Sequence, residues 1–330
     1  MRLFTGIPLR ASVFGAALGT TFLLATGASH AQGYPNRPVK LVLGFAPAGP
    51  TDVVARMLAE RMAQTLGQPI VIENRPGAGG NLAAEALVKA PADGYTLLYN
   101  TSSITIAPWV YQKVNYDPIK DFVPIGLTAE MPLVLLVNPQ FPAKDAKSLV
   151  AEVKSRPGKY SYGSSGVGAI EHLTGAHFAN QRGLDATHVP YKGTAPALID
   201  LLGGQTQYMM TTLNTAVPYI KEGRLNAYGV TSKARTQVLP SVPTISELFN
   251  ENFVATAWQG IVAPAGTPPE VIEKVNRAIN LALKDPSVLD RLAKQGVSPL
   301  GGSAQQYAEQ IRSELDNWRK VVAATGAKID

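Results

Sequence analysis

The chain has 330 residues, enough for about two domains of roughly 150 residues, each with a substantial core. With 45% hydrophobic and 16% charged residues, it is too apolar to be disordered and too mixed to cross a membrane many times. Cysteine is absent, which excludes disulfides, thiolate metal sites, a cysteine nucleophile and a lipid-modified N-terminal cysteine.

The beginning of the chain has the pattern of a secretory signal peptide over residues 1–31. Two arginines and no acid precede an apolar run at residues 11–25, which is shorter than the ~20 residues that span a bilayer. Ser29 and Ala31 are the small residues of a cleavage site. We therefore predict an exported, periplasmic protein that begins near Gln32; an uncleaved membrane anchor is the alternative.

Cleavage there would leave 28 basic and 24 acidic residues, a net charge of +4 that is spread along the chain. Because no five basic residues follow one another, we expect no nucleic-acid partner. A mildly positive protein is compatible with an anionic small-molecule ligand.

Short apolar runs alternate with helical patterns along the rest of the chain, which predicts an α/β fold with mostly parallel sheets. The first helical pattern repeats apolar residues every four positions from Val54 to Leu66. The predicted strands are Val39–Phe45, Ile70–Glu73, Tyr95–Tyr99, Leu133–Val137, Tyr160–Gly163, His188–Tyr191, Tyr208–Met210 and Ala227–Thr231.

Two capping boxes are predicted near the end of the chain. Thr267 with Glu270 predicts a helix that has Pro268 at its first position. Ser303 with Gln306 predicts the start of the last helix.

The order of strand, glycine-rich turn and helix occurs at residues 39–66 and again at 160–180, which predicts two similar lobes. Two extended apolar segments, Met131–Asn138 and Phe253–Ala263, are candidate crossovers between them. We expect lobe 1 to comprise residues 32–135 and 257–330, and lobe 2 to comprise residues 136–256.

Four turns follow predicted strands, at the strand ends where open parallel sheets bind ligands. Free N–H groups at helix starts favour anions there, and hydroxyls can donate to a carboxylate. The alternative is that these are ordinary N-caps and turns. The turns are Phe45–Asp52, Asn100–Ser103, Gly163–Gly168 and Tyr191–Thr194, with hydroxyls at Thr51, Thr101, Ser102, Ser103, Ser164, Ser165 and Thr194.

Two residues have two interpretations each. Asp52 either caps the helix that follows it or faces the ligand. Trp258, in a predicted crossover, either packs in the core or forms a lid over the ligand.

Catalytic patterns are weak in the sequence. Gly163–Gly168 fits neither the dinucleotide-binding G-x-G-x-x-G nor the G-x-S-x-G elbow, and Lys192–Thr194 has the wrong order for a P-loop. His172 and His177 are five residues apart and do not share a helical face, so we expect no metal. We expect His188 to make a structural hydrogen bond. We also expect no cofactor; a Ser/His/Asp hydrolase stays an alternative.

Motifs along residues 34–330 resemble those of the periplasmic substrate-binding receptors of tripartite tricarboxylate transporters, the Bug or TctC-like family. Each motif is weak alone, and together they are specific. They are Tyr34–Val39, Phe45–Asp52, Glu73–Gly80, Ala92–Leu97, Tyr162–Gly166, Val189–Gly193, Leu202–Gln205, Leu239–Thr244 and Val262–Pro268.

The resemblance implies a two-lobed periplasmic binding protein of the type II-like, Venus flytrap kind, which closes on a small carboxylate without a catalytic step. Family ligands include di- and tricarboxylates, acidic amino acids and aromatic carboxylates. The implied partners are the two membrane subunits of the transporter, and we expect a monomer. A ligand-sensing module for a membrane signalling system is an alternative.

The resemblance also implies where the ligand binds. The first-strand loop around Phe45–Asp52 would hold one carboxylate with help from Thr101–Ser103, and Ser164–Gly166 and Lys192–Ala195 would bind from the second lobe. The candidate ligand-binding residues are Phe45, Ala48, Gly49, Thr51, Asp52, Thr101, Ser102, Ser103, Ser164, Ser165, Gly166, Lys192, Gly193, Thr194, Ala195 and Thr211.

The chain departs from the family pattern in two places. After Gly-Gly-Gln the family carries two acids where this chain has Gln207 and Thr211, and the first-loop P-G-G is Pro47-Ala48-Gly49. Loss of the acids predicts a less negative second-lobe wall and a weaker grip on an amine. We therefore expect a carboxylate without an ammonium group, either aromatic or dicarboxylic.

Overall fold

A computed structural model describes residues 33–328, so the predicted signal peptide lies outside the described residues. The strands are β1 (Val39–Leu43), β2 (Ile70–Asn74), β3 (Thr96–Thr101), β4 (Phe122–Val137), β5 (Tyr160–Ser164), β6 (Ala186–Pro190), β7 (Tyr208–Thr212), β8 (Asn226–Val230), β9 (Thr256–Pro264) and β10 (Ser298–Pro299). The helices are α1 (Pro50–Leu66), α2 (Asn81–Val88), α3 (Ser103–Val110), α4 (Ala146–Ser155), α5 (Ile170–Gln181), α6 (Thr194–Leu202), α7 (Leu213–Lys221), α8 (Ile245–Phe249), α9 (Pro269–Ala282), α10 (Pro286–Lys294) and α11 (Ala304–Thr325).

Two sets of parallel strands are joined by two long antiparallel strands. β1 pairs with β2 and β3 in the first set, and β5 pairs with β6 and β7 in the second. β9 runs antiparallel to both β3 and β4. The part of β4 at Phe122–Pro132 pairs with β9, whereas Leu133–Val137 pairs with β7 and β8. The sheet of each lobe is therefore mixed rather than mostly parallel, because the crossover strands run against their neighbours.

The predicted strands are confirmed, with ends within two residues of those observed, except that Leu133–Val137 is only the second part of β4. The first part of β4 was missed by the strand pattern. Pro124, Gly126 and Pro132 are poor strand formers, and the pairing register with β9 shifts beside the first two.

One capping box is confirmed and supports the first set of strands. Gln306 N–H donates to Ser303 Oγ at 3.1 Å at the start of α11, and Ser303 N–H donates to the Gln306 side chain at 2.8 Å. The next residue, Tyr307, donates its hydroxyl to Asn100 Oδ1 at the end of β3. A Cβ atom at Gly260 would lie 2.5 Å from the Tyr307 ring, so this close packing requires glycine.

The predicted capping box at Thr267 and Glu270 is wrong. The Thr267 hydroxyl donates instead to the Pro264 carbonyl at 2.8 Å. As a result Pro268 is the N-cap of α9, and the first helical residue is Pro269.

Trp258 packs in the core rather than forming a lid over the ligand. Its side chain is buried, and its ring lies edge-on to Tyr307 at 5.7 Å. Among residues 33–328, no helix combines the length and apolarity needed to cross a bilayer.

Candidate functional site

A cavity of about 750 Å³, called here the central cavity, is lined from both sets of strands. The turns after β1, β3, β5 and β6 all reach it, so the structure brings the four predicted turns together. Of the candidate residues, those that line it are Phe45, Thr51, Thr101, Ser102, Ser103, Ser165, Gly166, Lys192, Gly193 and Thr194. Those outside its lining are Ala48, Gly49, Asp52, Ser164, Ala195 and Thr211.

Strand alternation and solvent exposure explain why most of these six residues lie outside the cavity lining. Thr211 is fully buried, and its hydroxyl faces Thr215, whereas the next residue, Thr212, turns to the cavity. Ala48 and Ala195 face solvent at the outer side of their turns. Gly49 is the N-cap of α1, directly before the first lining residue of that helix.

The helix starts around the central cavity keep most of their backbone N–H groups free of side-chain caps. Among the described residues, the N-cap side chains of α1, α3, α5, α6 and α7 accept no helix N–H, and each of these starts contributes lining residues. At α3, Thr101 Oγ1 accepts the first N–H, that of Ser103, at 3.3 Å. By contrast α4, α8, α10 and α11, whose starts lie elsewhere, are capped by Asp145, Thr244, Asp285 and Ser303. Uncapped N–H groups carry partial positive charge and need an acceptor, so this cavity is suited to an anion.

Asp52 holds the first-strand loop rather than capping α1, whose N-cap is Gly49. Its carboxylate accepts Ala48 N–H at 2.9 Å, Asn74 Nδ2 at 2.8 Å and Arg56 Nε at 2.8 Å. Burial acts to raise its pKa, but the hydrogen bonds from Arg56, Asn74 and Ala48 outweigh burial and hold the pKa below its usual range. All of its acceptor capacity is directed into the protein, and the side chain does not reach the cavity lining.

Ala48 stands where the family pattern has a glycine, and its backbone conformation is strained. Its φ of 60° lies in the left-handed region, where an L-residue with a Cβ atom is strained by about 1–2 kcal/mol. The hydrogen bond from Ala48 N–H to Asp52 fixes this conformation.

A stacked histidine pair anchors the loop between β5 and α5. The rings of His172 and His188 are parallel to within 9°, with centroids 3.8 Å apart. His188 Nε2 lies 2.7 Å from the buried Ser164 hydroxyl, and His172 Nδ1 accepts Gly168 N–H at 3.1 Å. The structural hydrogen bond expected for His188 is therefore observed, and Ser164 is turned into the protein.

Both histidines are held neutral. Burial lowers the pKa of His172 to about 4, and burial together with the neighbouring His172 lowers the pKa of His188 to about 3. A neutral His172 is also what its hydrogen bond requires, since protonated Nδ1 could not accept Gly168 N–H.

A buried polar network supports the floor of the cavity. Tyr99 donates its hydroxyl to Gln259 Oε1 at 2.7 Å, and Gln259 Nε2 donates to Thr51 Oγ1 at 3.4 Å. Tyr99 also contacts Thr128 through its hydroxyl. Gln259 and Thr51 line the cavity, so this network orients the Thr51 hydroxyl there.

The sequence missed a second glycine-rich segment of the lining, Pro76–Gly79, which follows β2. It lies within the motif Glu73–Gly80, so a signal was present. The two glycine turns of lobe 1 touch each other: a Cβ atom at Gly44 would lie 2.6 Å from the Gly80 Cα atom. Only glycine at Gly44 allows this approach.

The sequence also missed Glu171, a buried acid in the cavity wall. It is the second residue of α5, and its Oε2 accepts the Ser165 hydroxyl at 2.8 Å. Burial raises its pKa. The Ser165 hydroxyl, expected to donate to a ligand, therefore donates to the protein's own acid.

Comparison with known proteins identifies the family. The family model "Tripartite tricarboxylate transporter family receptor" matches residues 54–327. The chain belongs to this family of receptors. It is 38% identical to protein BugT of Bordetella pertussis over 301 residues, which cover 91% of this chain and 92% of that protein.

Two solved structures of similar proteins contain carboxylates. R. palustris Rpa4515 with adipate has 34% identity and a TM-score of 0.83, covering 90% of this receptor and 100% of that chain. MatC (Rpa3494) from Rhodopseudomonas palustris with bound malate has 37% identity and a TM-score of 0.78, covering 88% and 100%. The two-lobed periplasmic binding protein fold expected from the sequence is confirmed by these relationships.

Replacing Asp52 tests its role in the loop. Asp52→Ala leaves Ala48 N–H and the Asn74 amide without their acceptor, so we expect the receptor to lose about 2–3 kcal/mol of unfolding free energy in urea titrations. Arg56→Ala is the matched control; Arg56 is half exposed, and its loss is expected to cost less than about 1 kcal/mol. Equal losses in the two variants would show that Asp52 acts only as the partner of Arg56.

The histidine pair predicts acid sensitivity of the receptor. The unfolded chain binds protons as pH falls below about 6.5, while the folded state keeps His172 neutral down to about pH 4, so stability is lost across that range. We expect His172→Asn, whose Oδ1 can accept Gly168 N–H without titrating, to reduce this loss by roughly 1–3 kcal/mol.

Unfolding free energies at pH 7 and at about pH 4.5 measure this effect. His172→Ala is the control, because it removes the same titrating group but also the acceptor of Gly168 N–H, so it should reduce the pH dependence equally while lowering stability at pH 7. An identical pH dependence in wild type and His172→Asn would contradict the assignment.

Proposed function

We propose that this protein captures a small organic carboxylate in the central cavity and delivers it to the membrane subunits of a tripartite tricarboxylate transporter. The observation that carries the proposal is the convergence of five uncapped helix starts on one cavity. The starts of α1, α3, α6 and α7, which have no acid facing the cavity, each contribute about 0.3–1 kcal/mol towards an anion, and charge-assisted hydrogen bonds from N–H and hydroxyl groups add to this.

The size of the cavity and the relatives support a carboxylate of metabolite size. About 750 Å³ lies within the range of small-molecule sites. Adipate and malate are the carboxylates of two similar receptors. Di- and tricarboxylates and aromatic carboxylates are the ligand classes indicated by the sequence.

The expectation of a ligand without an ammonium group depends on residues 207 and 211 forming part of the second-lobe wall of the cavity, and neither residue lines it. Gln207 directly precedes β7, where its side chain accepts Ser161 N–H and donates to the Gly204 carbonyl. Thr212 is the last residue of β7, so Gln207 lies at the other end of this strand, about 16 Å from Thr212. Thr211 is buried away from the cavity. Neither of the two positions where the family carries an acid therefore lines the cavity.

The remaining parts of the proposal follow from the family. We propose a periplasmic location, a monomer in solution, no catalytic step and closure of the lobes on the ligand by hinge motion. The closed form would be the one that the membrane subunits recognise. We keep the predicted lobe boundaries, and the point within β4 where its partners change, between Pro132 and Leu133, supports a hinge close to residue 135.

A thermal-shift screen tests the proposed ligand class. A carboxylate at about 100 times its dissociation constant should add ~2.7 kcal/mol of stability and raise the melting temperature. Adipate, malate, citrate, glutamate and hydroxybenzoates are suitable probes, each paired with its neutral amide or ester as control. Equal shifts with carboxylates and with their neutral analogues, or no shift with any carboxylate, would contradict the proposal.

The Ser164–His188 contact is the one observation that favours a hydrolase. However, Ser164 is fully buried outside the cavity lining, and the pKa of His188 is lowered to about 3, which leaves it a poor base near neutral pH. We expect no turnover of activated carboxylic esters by the wild type beyond that of Ser164→Ala. Turnover abolished by that replacement would instead establish the hydrolase.

A signalling role is distinguished in the cell. Deleting the gene should abolish uptake of the ligand if the protein serves a transporter. Loss of gene induction with uptake intact would establish sensing instead.

A further inference from the structure

Glu171 is a buried acid in a cavity that otherwise favours anions. Its side chain is 7% exposed, and among the lining residues, all within the described part of the chain, it is the only acid and Lys192 the only base. Within residues 33–328, no lysine, arginine or histidine forms a salt bridge with it. A carboxylate is costly to bury without a cation or several donors, so its place in the wall needs an explanation.

Because of Glu171, one part of the cavity offers a hydrogen-bond acceptor, whereas the rest offers donors to an anion. Glu171 lies in the first turn of α5, where the positive end of the helix dipole already has this acid as its counter-charge. The starts of α3, α6 and α7 have no acid in their first turn, and the acid of α1, Asp52, is turned into the protein. Free N–H groups and the hydroxyls of Ser103 and Thr194 are thus available to the ligand's carboxylate, and α5 offers an acceptor instead.

The chemical nature of the ligand group that contacts Glu171 then determines how tightly the ligand binds. A hydroxyl or ammonium group can donate to its carboxylate in a charge-assisted hydrogen bond. A second ionised carboxylate would meet the like charge of a buried acid, which costs binding free energy unless a proton is taken up.

We propose that Glu171 sets the ligand preference of this receptor, so that a monocarboxylate whose far end donates a hydrogen bond binds more tightly than a dicarboxylate on the same skeleton. This inference rests on the proposed function and narrows its ligand class. Because burial raises the pKa of Glu171, mild acid should protonate it and weaken the discrimination.

Calorimetric titration of matched ligands tests the proposal at about pH 7.5, where a buried glutamate is more fully ionised than in mild acid. One series is adipate, 6-hydroxyhexanoate and 6-aminohexanoate; the other is terephthalate and 4-(hydroxymethyl)benzoate. In each series the far end alone changes. The variant is Glu171→Gln, which keeps the size of the side chain and its hydrogen bond with Ser165 while removing the charge.

We expect wild type to prefer the donor ligand by about tenfold or more in at least one series, and Glu171→Gln to shrink that ratio by about tenfold, mainly through tighter dicarboxylate binding. A gain in affinity cannot arise from misfolding. Asp185→Asn is the matched control, since it removes an exposed acid of the second lobe outside the cavity lining and should leave the ratio unchanged. As the pH rises the ratio should rise in wild type, because Glu171 loses its proton, and stay flat in Glu171→Gln.

Three results would overturn the proposal. An unchanged ratio in Glu171→Gln would show that Glu171 does not face the ligand. Tighter dicarboxylate binding by wild type, weakened in Glu171→Gln, would show that a protonated Glu171 donates to the second carboxylate. Absence of binding for every carboxylate in wild type would reject the proposed function itself, and with it this inference, whereas the first two results leave that function standing.

Discussion

The unsatisfied backbone N–H groups of helix starts are the constraint on which this structure depends. A helix leaves its first N–H groups without internal partners, and each must find an acceptor in a side chain, in water or in a ligand. Here α4, α8, α10 and α11 use side-chain caps, whereas the starts facing the central cavity use none. In the described part of the chain, α2 and α9, whose starts lie outside the cavity lining, also have no side-chain cap, but every side-chain cap lies away from the cavity, and the uncapped donors that face it are left for whatever enters.

The fold brings these starts together because β4 belongs to both halves of the sheet, and β9 joins its first part to β3. The parallel strands of each set end at the cavity, and each is followed directly by a helix. β4 changes partners from β9 to β7 and β8 along its length, so the two sets are held by continuous strands rather than by flexible linkers. Buried contacts below the cavity, such as Tyr307 on Asn100 and Tyr99 on Gln259, limit movement of the strand ends within the first set.

Local signals in the sequence were sufficient for the predicted strands and for the four turns, but not for the first part of β4. Apolar runs of strand length and helix periodicity place most boundaries within two residues, and the Ser303 capping box is a contact between near neighbours. Thr267 shows the limit of such signals, because its hydroxyl found a nearer acceptor in the Pro264 carbonyl. Asp52 shows a second limit. Both roles predicted for it, helix cap and ligand contact, were inferred from its neighbours in sequence, whereas its hydrogen-bond partner Asn74 lies on the neighbouring strand β2.

The acid in the cavity wall is the kind of feature that a family pattern cannot supply. The motif Tyr162–Gly166 predicts a loop that binds from the second lobe, but Glu171 follows it on a helix whose rotation decides whether its side chain faces the cavity or solvent. That rotation is fixed by long-range packing: His172 stacks on His188 of β6, and the ring of Tyr162 in β5 lies against Gly175, where a Cβ atom would come within 3.0 Å of it. With those contacts in place Glu171 turns to the cavity and Ser165 to Glu171. Charge in the wall is thus set by the packing behind it, so receptors with the same loops can differ in the ligands they accept.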